Sequence, residues 1–272
     1  MNTQEMLDIA LDLAGLDHCP ADAAVIVPGE NIHKVLVGID MNTPELLVGK
    51  IMGYDCVVSH HPRNTDLKGI NDLFREQMYA MAAHGVPLNA AQKLIESQAK
   101  KIDDNDHGFN YNRNASAAEV LQMPFVCIHT PADIIVETAI QKMMDEHFGD
   151  KPRTKIKDIM DVLGAISEYK KAPFPPKIGV GSPESYAGKI LVNMSGVTGG
   201  GPDVYKAYFQ AGVGTLILMH ASEQDIKAVS EQNIGNIIVA GHMASDSYGM
   251  NRIFEAWEQE GLEVTRMSGV IY

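Results

Sequence analysis

His60 and His61 close the short run Asp55-Cys56-Val57-Val58-Ser59, and Pro62 follows them. Two adjacent imidazoles concentrate nitrogen donors, and neutral imidazole is a common ligand of divalent transition metals. Val57 and Val58 favour a strand, and Pro62 has no N–H to give to a ladder, so extended structure is expected to stop at the histidines. Neighbouring strand residues point to opposite faces, so both rings serve one site only if the chain turns there. In an open α/β sheet the carboxyl end of a strand is where ligands bind. His242 and Asp246 form a second set, four residues apart at an expected helix start. That spacing puts them on one face, one turn apart, where they can share a cation. Glu96 adds a carboxylate after an expected strand over 86–91. Together His60, His61, Glu96, His242 and Asp246 exceed what one tetrahedral zinc needs. They suit a pair of divalent ions (Zn, Mn or Fe(II)), bridged by a carboxylate or water.

Other residues add proton-transfer and anion-binding chemistry. His129, in His129-Thr130-Pro131-Ala132-Asp133, fits a general base or a pair with Asp133 that supports the ligands. A helix start capped by Thr130 explains the same residues more simply. His220 ends the expected strand 215–220, and it and His129 are the candidate proton shuttles. Gly199, Gly200 and Gly201 precede a helix start at Pro202, where free N–H groups can hold an anion. No Gly-Lys-Ser/Thr follows, so this is not a P-loop, and a close backbone crossing accounts for the glycines equally well. Arg63, just after the histidines, could steer an acidic substrate.

The elements that must position these groups alternate. A strand over 33–40 leads to a helix capped by Thr43 with Pro44 at its first position, then to the double-histidine strand. From about residue 178 onward strands and helices alternate again, which predicts an α/β protein with a parallel or mixed sheet covered on both faces. Two stretches match. Lys34-Val35-Leu36-Val37 opens a strand–helix–strand unit ending at His60, and Lys189-Ile190-Leu191-Val192 opens one ending at His220. The expected fold is therefore two similar βαβ-type lobes with a metal site in the cleft between them. The expected division is 1–125 plus 240–272 for the double-histidine lobe and 126–239 for the lobe with the glycine-rich loop.

Composition narrows the class of function. Over 272 residues, 45% are hydrophobic and 21% charged, as in an ordinary globular protein. A net charge of −13 argues against a nucleic-acid groove, which needs a basic patch. No apolar run reaches transmembrane length, and Met1-Asn2-Thr3-Gln4-Glu5 lacks a basic, apolar leader. Cys19, Cys56 and Cys127 are far apart and odd in number, so reduced thiols and a cytoplasmic location are expected.

With these residues in hand, the chain resembles the Ngg-interacting factor family, often described as GTP cyclohydrolase I type 2. The likeness runs from Lys34 to Asn251 and is carried by His60-His61, Gly199-Gly200-Gly201, and Gly241-His242 followed by Asp246. The resemblance implies an α/β fold, a dinuclear metal site, a ring-shaped homohexamer and a small-molecule substrate. Where the family has His-Thr-Asn-Leu-Asp after its third strand, this chain is expected to have Gln92-Lys93-Leu94-Ile95-Glu96. Asp246 stands for a family Glu, and His220 for another. The function expected is metal-assisted hydrolysis of a phosphorylated, nucleotide-like or ring C–N substrate. The competing reading is a metal-binding, metal-delivery or scaffold protein without turnover.

Overall fold

Short β-branched runs and amphipathic helices alternate to build two mixed sheets. The computed structural model describes residues 1–61, 67–106, 110–195 and 200–272. In chain order its elements are α1 (Thr3–Ala14), β1 (Ala23–Val27), β2 (Lys34–Gly38), α2 (Thr43–Ile51), β3 (Cys56–Ser59), α3 (Leu67–Ala83), α4 (Leu88–Asp106), α5 (Arg113–Leu121), β4 (Phe125–Ile128) and α6 (His129–Phe148). There follow α7 (Ile156–Ala165), α8 (Ser167–Lys171), β5 (Lys177–Val180), β6 (Lys189–Asn193), α9 (Pro202–Gln210), β7 (Val213–Leu218), α10 (Glu223–Gln232), β8 (Asn236–Val239), α11 (His242–Gln259) and β9 (Glu263–Met267).

The chain divides into two units, the first holding Met1–Asn71, Asp103–Ile135 and Asp246–Ile271, the second Asp72–Ile102 and Val136–Ser245. The first unit contains a five-stranded sheet of order β1-β4-β3-β2-β9, in which β1 alone runs antiparallel to its neighbour. Side chains alternate across it, as a pleated strand requires. Val35, Val37, Cys56, Val58, Val126 and Ile128 enter one core with Met6, Phe254 and Trp257. Leu36, Val57 and Phe125 enter the core on the other face with Leu46 and Met123. The indole N–H of Trp257 donates to the Met6 carbonyl (3.1 Å), tying the last helix to the first.

The second unit contains a four-stranded sheet of order β5-β8-β7-β6, again with one antiparallel edge strand followed by parallel ones. β1-β4-β3-β2 and β5-β8-β7-β6 are thus the same wiring, so the expected pair of similar lobes is present. The third strand of the first repeat, however, is β4. Residues 86–91, expected as a strand, open helix α4 instead. Pro87 supplies the carbonyl for the Ala90 and Ala91 N–H groups, and Ala91, Ile95 and Ala99 are buried at a spacing of four. That period belongs to a helix. The unit boundaries also differ from the expected division, for the same reason. Phe74, Met81, Val86, Ala91 and Ile95 pack into the core of Leu191, Tyr208, Leu216 and Ile237, so 72–102 belongs with the second sheet. Residues 126–135, expected in the second lobe, belong to the first because β4 pairs with β1 and β3.

Candidate metal centre

β3 ends with the turn that two adjacent rings need. The His60 and His61 N–H groups donate to the carbonyls of Gly38 and Ile39 (both 3.0 Å), and the Ser59 hydroxyl accepts from the Met41 N–H (3.2 Å). Past the ladder the strand alternation is broken, and the two ring centroids lie 5.1 Å apart. β4, beside β3, ends at His129, which begins α6, and Asp133 follows one turn later. His129 lies 4.8 Å from His60 and 5.8 Å from His61, ring centre to ring centre. Asp246 enters from the first turns of α11.

These groups form one cluster of nitrogen and oxygen donors. His60 Nε2 is 3.4 Å from Asp133 Oδ1 and 3.6 Å from Asp246 Oδ1. His61 Nε2 is 3.7 Å from Asp246 Oδ2, and His129 Nε2 is 3.7 Å from Asp133 Oδ2. On their other nitrogens, His61 Nδ1 pairs with Asp40 Oδ1 at 3.0 Å and His129 Nδ1 with Asp22 Oδ2 at 2.6 Å. His60 is fully buried, yet among the described residues neither of its ring nitrogens has a hydrogen-bond partner. Leaving a buried polar group unmatched costs about 1–3 kcal/mol, so such a group marks a missing partner.

The donor set fits a divalent ion. Two ligands each about 2.1 Å from a tetrahedral ion stand about 3.4 Å apart, too far for a good hydrogen bond and close to the separations here. His60, Asp133 and Asp246 could hold such an ion, and His60, His61 and His129 form a second group whose ligand atoms lie within 4.8 Å of one another. Electrostatics favours the ligating form of His60: burial pushes its pKa down to about 4, against the pull of Asp246. His129 goes the other way. Burial lowers it, but Asp133, Asp22 and Asp246 together outweigh burial and lift it to about 9.

The remaining sequence candidates fall as follows. His242 opens α11, one turn before Asp246. His220, in the loop after β7, is exposed, with its ring 4.9 Å from that of His242. Glu96 lies within α4 rather than at a strand end, is half exposed, and pairs with Arg75 at 3.2 Å. It joins none of the donor groups among the described residues. Gly200 and Gly201 have φ of 70° and 83° ahead of α9, and a β-carbon on Gly200 would meet Val204 at 2.7 Å. The nearby N–H groups of Met194 and Ser195 already hold the Glu137 carboxylate (2.6 and 2.7 Å). Gly199 and Arg63 lie outside the described residues.

Sequence reasoning passed over Asp133 as a ligand, and over Asp22 and Asp40. For Asp133 the signal was present. The His-Thr-x-x-Asp pattern sought at residues 92–96 stands at His129–Asp133, after the true third strand of the repeat. β8, which occupies the matching place in the second sheet, is followed by His242 and Asp246 at the same spacing.

The fold and this donor set define an α/β protein of two similarly wired sheets with a candidate metal centre. A crystal structure of a NIF3 superfamily protein from Sphaerobacter thermophilus is 33% identical, with a TM-score of 0.93 over 99% of this chain and 98% of that one. The chain belongs to the NIF3 superfamily. The fold is shared by reduced HcgD from Methanocaldococcus jannaschii (13% identity, TM-score 0.61, 98% and 97% of the two chains). It is shared too by TTHA1606 from Thermus thermophilus (13% identity, TM-score 0.54, 98% of each chain). No family model and no curated protein matches the sequence. Among the described residues, no helix is long and apolar enough to cross a membrane.

Proposed function

We propose that the chain is a dinuclear metal-dependent hydrolase acting on a small phosphorylated, nucleotide-like or ring C–N substrate. The observation that carries this reading is a fully buried imidazole, His60, facing two buried carboxylates at ligand-to-ligand spacing. Burying Asp133 and Asp246 together without a cation is costly, and a divalent ion offsets both charges. His60, Asp133 and Asp246 hold one ion. His61, whose Nε2 is 3.7 Å from Asp246 Oδ2, adds a nitrogen donor, and His242, one turn before Asp246 on α11, is the further candidate by helix spacing alone. Bound divalent ions supply Lewis acidity and acidify water at neutral pH.

The chain's own residues do the rest. Asp40 orients His61. His129, its Nδ1 engaged by Asp22, presents Nε2 to the cluster, where that nitrogen serves a metal ion or, when not bound to one, exchanges a proton. The His61 and His129 side chains keep 22% and 14% of their surface exposed while His60 keeps none, so the cluster is closed on one side and accessible on the other. Catalytic metal sites keep such an open position, and structural ones are closed. A homohexamer, as the family resemblance implies, and a cytoplasmic location, as the odd and scattered cysteines suggest, are part of the same proposal.

The test is a hydrolysis screen over phosphate esters, nucleotides and cyclic amides, with Zn, Mn or Fe(II) added to metal-stripped protein. Turnover that needs metal and disappears in His60→Ala supports the reading. Stoichiometric metal uptake and transfer without turnover on any of these would replace it with a metal-delivery role.

A further inference from the structure

We propose that Asp22 is a positioning residue for this centre: it keeps a proton on His129 Nδ1 and so reserves Nε2 for the cluster of His60, Asp133 and Asp246. The inference rests on the metal reading above, and it adds a residue that carries no recognisable motif.

Asp22 is fully buried immediately before β1. β1 pairs antiparallel with β4 in the register Ala23↔Ile128, so residue 22 is carried opposite residue 129. Its Oδ2 accepts from His129 Nδ1 at 2.6 Å and from the Thr130 hydroxyl at 2.7 Å. An ionised carboxylate only accepts, so the hydrogen between Asp22 and the ring belongs to Nδ1. The Thr130 bond fixes the carboxylate's rotation, so the ring is held in orientation as well as in tautomer. His129 Nε2 is thereby left facing Asp133 Oδ2 at 3.7 Å.

Two further observations support the assignment. His61 is held in the same manner, Nδ1 on Asp40 and Nε2 toward Asp246, so the centre uses a carboxylate behind an imidazole twice. Carboxylates placed this way fix the tautomer of metal-facing histidines and raise their basicity. In the second sheet the strand equivalent to β1 is β5, and Pro176 precedes it, with no side-chain acceptor to offer.

The experiment is ring ¹H–¹⁵N correlation spectroscopy of full-length, Zn-loaded protein at a pH where His129 is neutral, combined with chelator competition for Zn. The expected result is a proton on His129 Nδ1 in the wild type. In Asp22→Asn the amide can donate as well as accept, so the tautomer should shift or mix and Zn affinity fall about 10–100-fold. Thr130→Val should keep the tautomer and lose less affinity. A neutral His129 with its proton on Nε2 in the Zn-loaded wild type would overturn the inference, as would unchanged tautomer and affinity in Asp22→Asn. Should Asp22→Asn fail to fold, the wild-type spectrum decides alone. Wild-type protein that takes up no Zn would instead overturn the metal reading, and this inference with it.

Discussion

The two sheets share one wiring and carry different chemistry at the same strand ends. After β4 come His129 and Asp133, and after β8 come His242 and Asp246, at identical spacing. After β3 stand His60, fully buried, and His61, partly exposed, whereas β7 leads to the exposed His220. Before β1 stands Asp22, and before β5 a proline. A repeated topology offers repeated positions at strand ends. What differs is the neighbouring strand end: among the described residues, β3 leads to two adjacent imidazoles, His61 with Asp40 behind it, and β7 to the single His220.

The largest expected effect comes from the two carboxylates that face His60, one following β4 and one following β8. Asp133→Asn and Asp246→Asn each remove a charge facing His60, and metal affinity should fall at least about 100-fold by isothermal titration, since a lost ligand exceeds the 10–100-fold cost of a lost supporting group. His220→Ala, at the matching end of the second sheet, should change affinity less than about 3-fold, within the scatter of an exposed substitution. Equal losses at Asp133 and His220 would dissolve the contrast between the sheets.

The second effect concerns acid stability of the metal-free protein. His60 has a folded pKa of about 4 because burial disfavours its charged form, against about 6.5 in an unfolded chain. The folded state therefore binds the proton less well than the unfolded state. Its contribution is fully present above pH about 6.5 and is lost as pH falls toward 4, on the order of 2–3 kcal/mol. His129 runs oppositely: with its pKa lifted to about 9, its contribution is present below about 6.5 and lost as pH rises through 9. Urea melts of wild type and His60→Gln between pH 4 and 7 should differ in slope, the variant losing less stability on acidification. Parallel curves would remove His60 from the acid limb.

The smallest effect is at Glu96. Its pair with Arg75 is exposed, so Glu96→Gln should cost about 0–1 kcal/mol in stability and leave metal affinity unchanged. A loss of metal there would return Glu96 to the centre and α4 to a role that its position does not suggest.

How far the sequence could be read depended on whether a signal was local. Val57-Val58-Ser59 followed by two histidines and a proline reads as a strand that stops at the histidines, and β3 ends at Ser59 as expected. Residues 86–91 look extended because a short apolar run containing Pro87 has no period of its own. Only the longer span to Ala99 shows a helix, and with it Glu96 moved away from any strand end. β1 is easily missed in the sequence, since Ala23–Val27 is brief and sits among prolines and glycines. Missing it concealed Asp22, whose partner His129 is 107 residues away and reaches it only through the β1–β4 register. His129 and Asp133 were visible as a pair, but a Thr130 cap with Pro131 behind it accounted for the same letters.

Anomalous scattering at the Zn, Mn and Fe edges from crystals of protein purified without chelator should show an ion within bonding distance of His60 Nε2 and of carboxylate oxygens of Asp133 and Asp246. Crystals soaked in Zn and Mn that show no anomalous peak at those three side chains would contradict the metal reading.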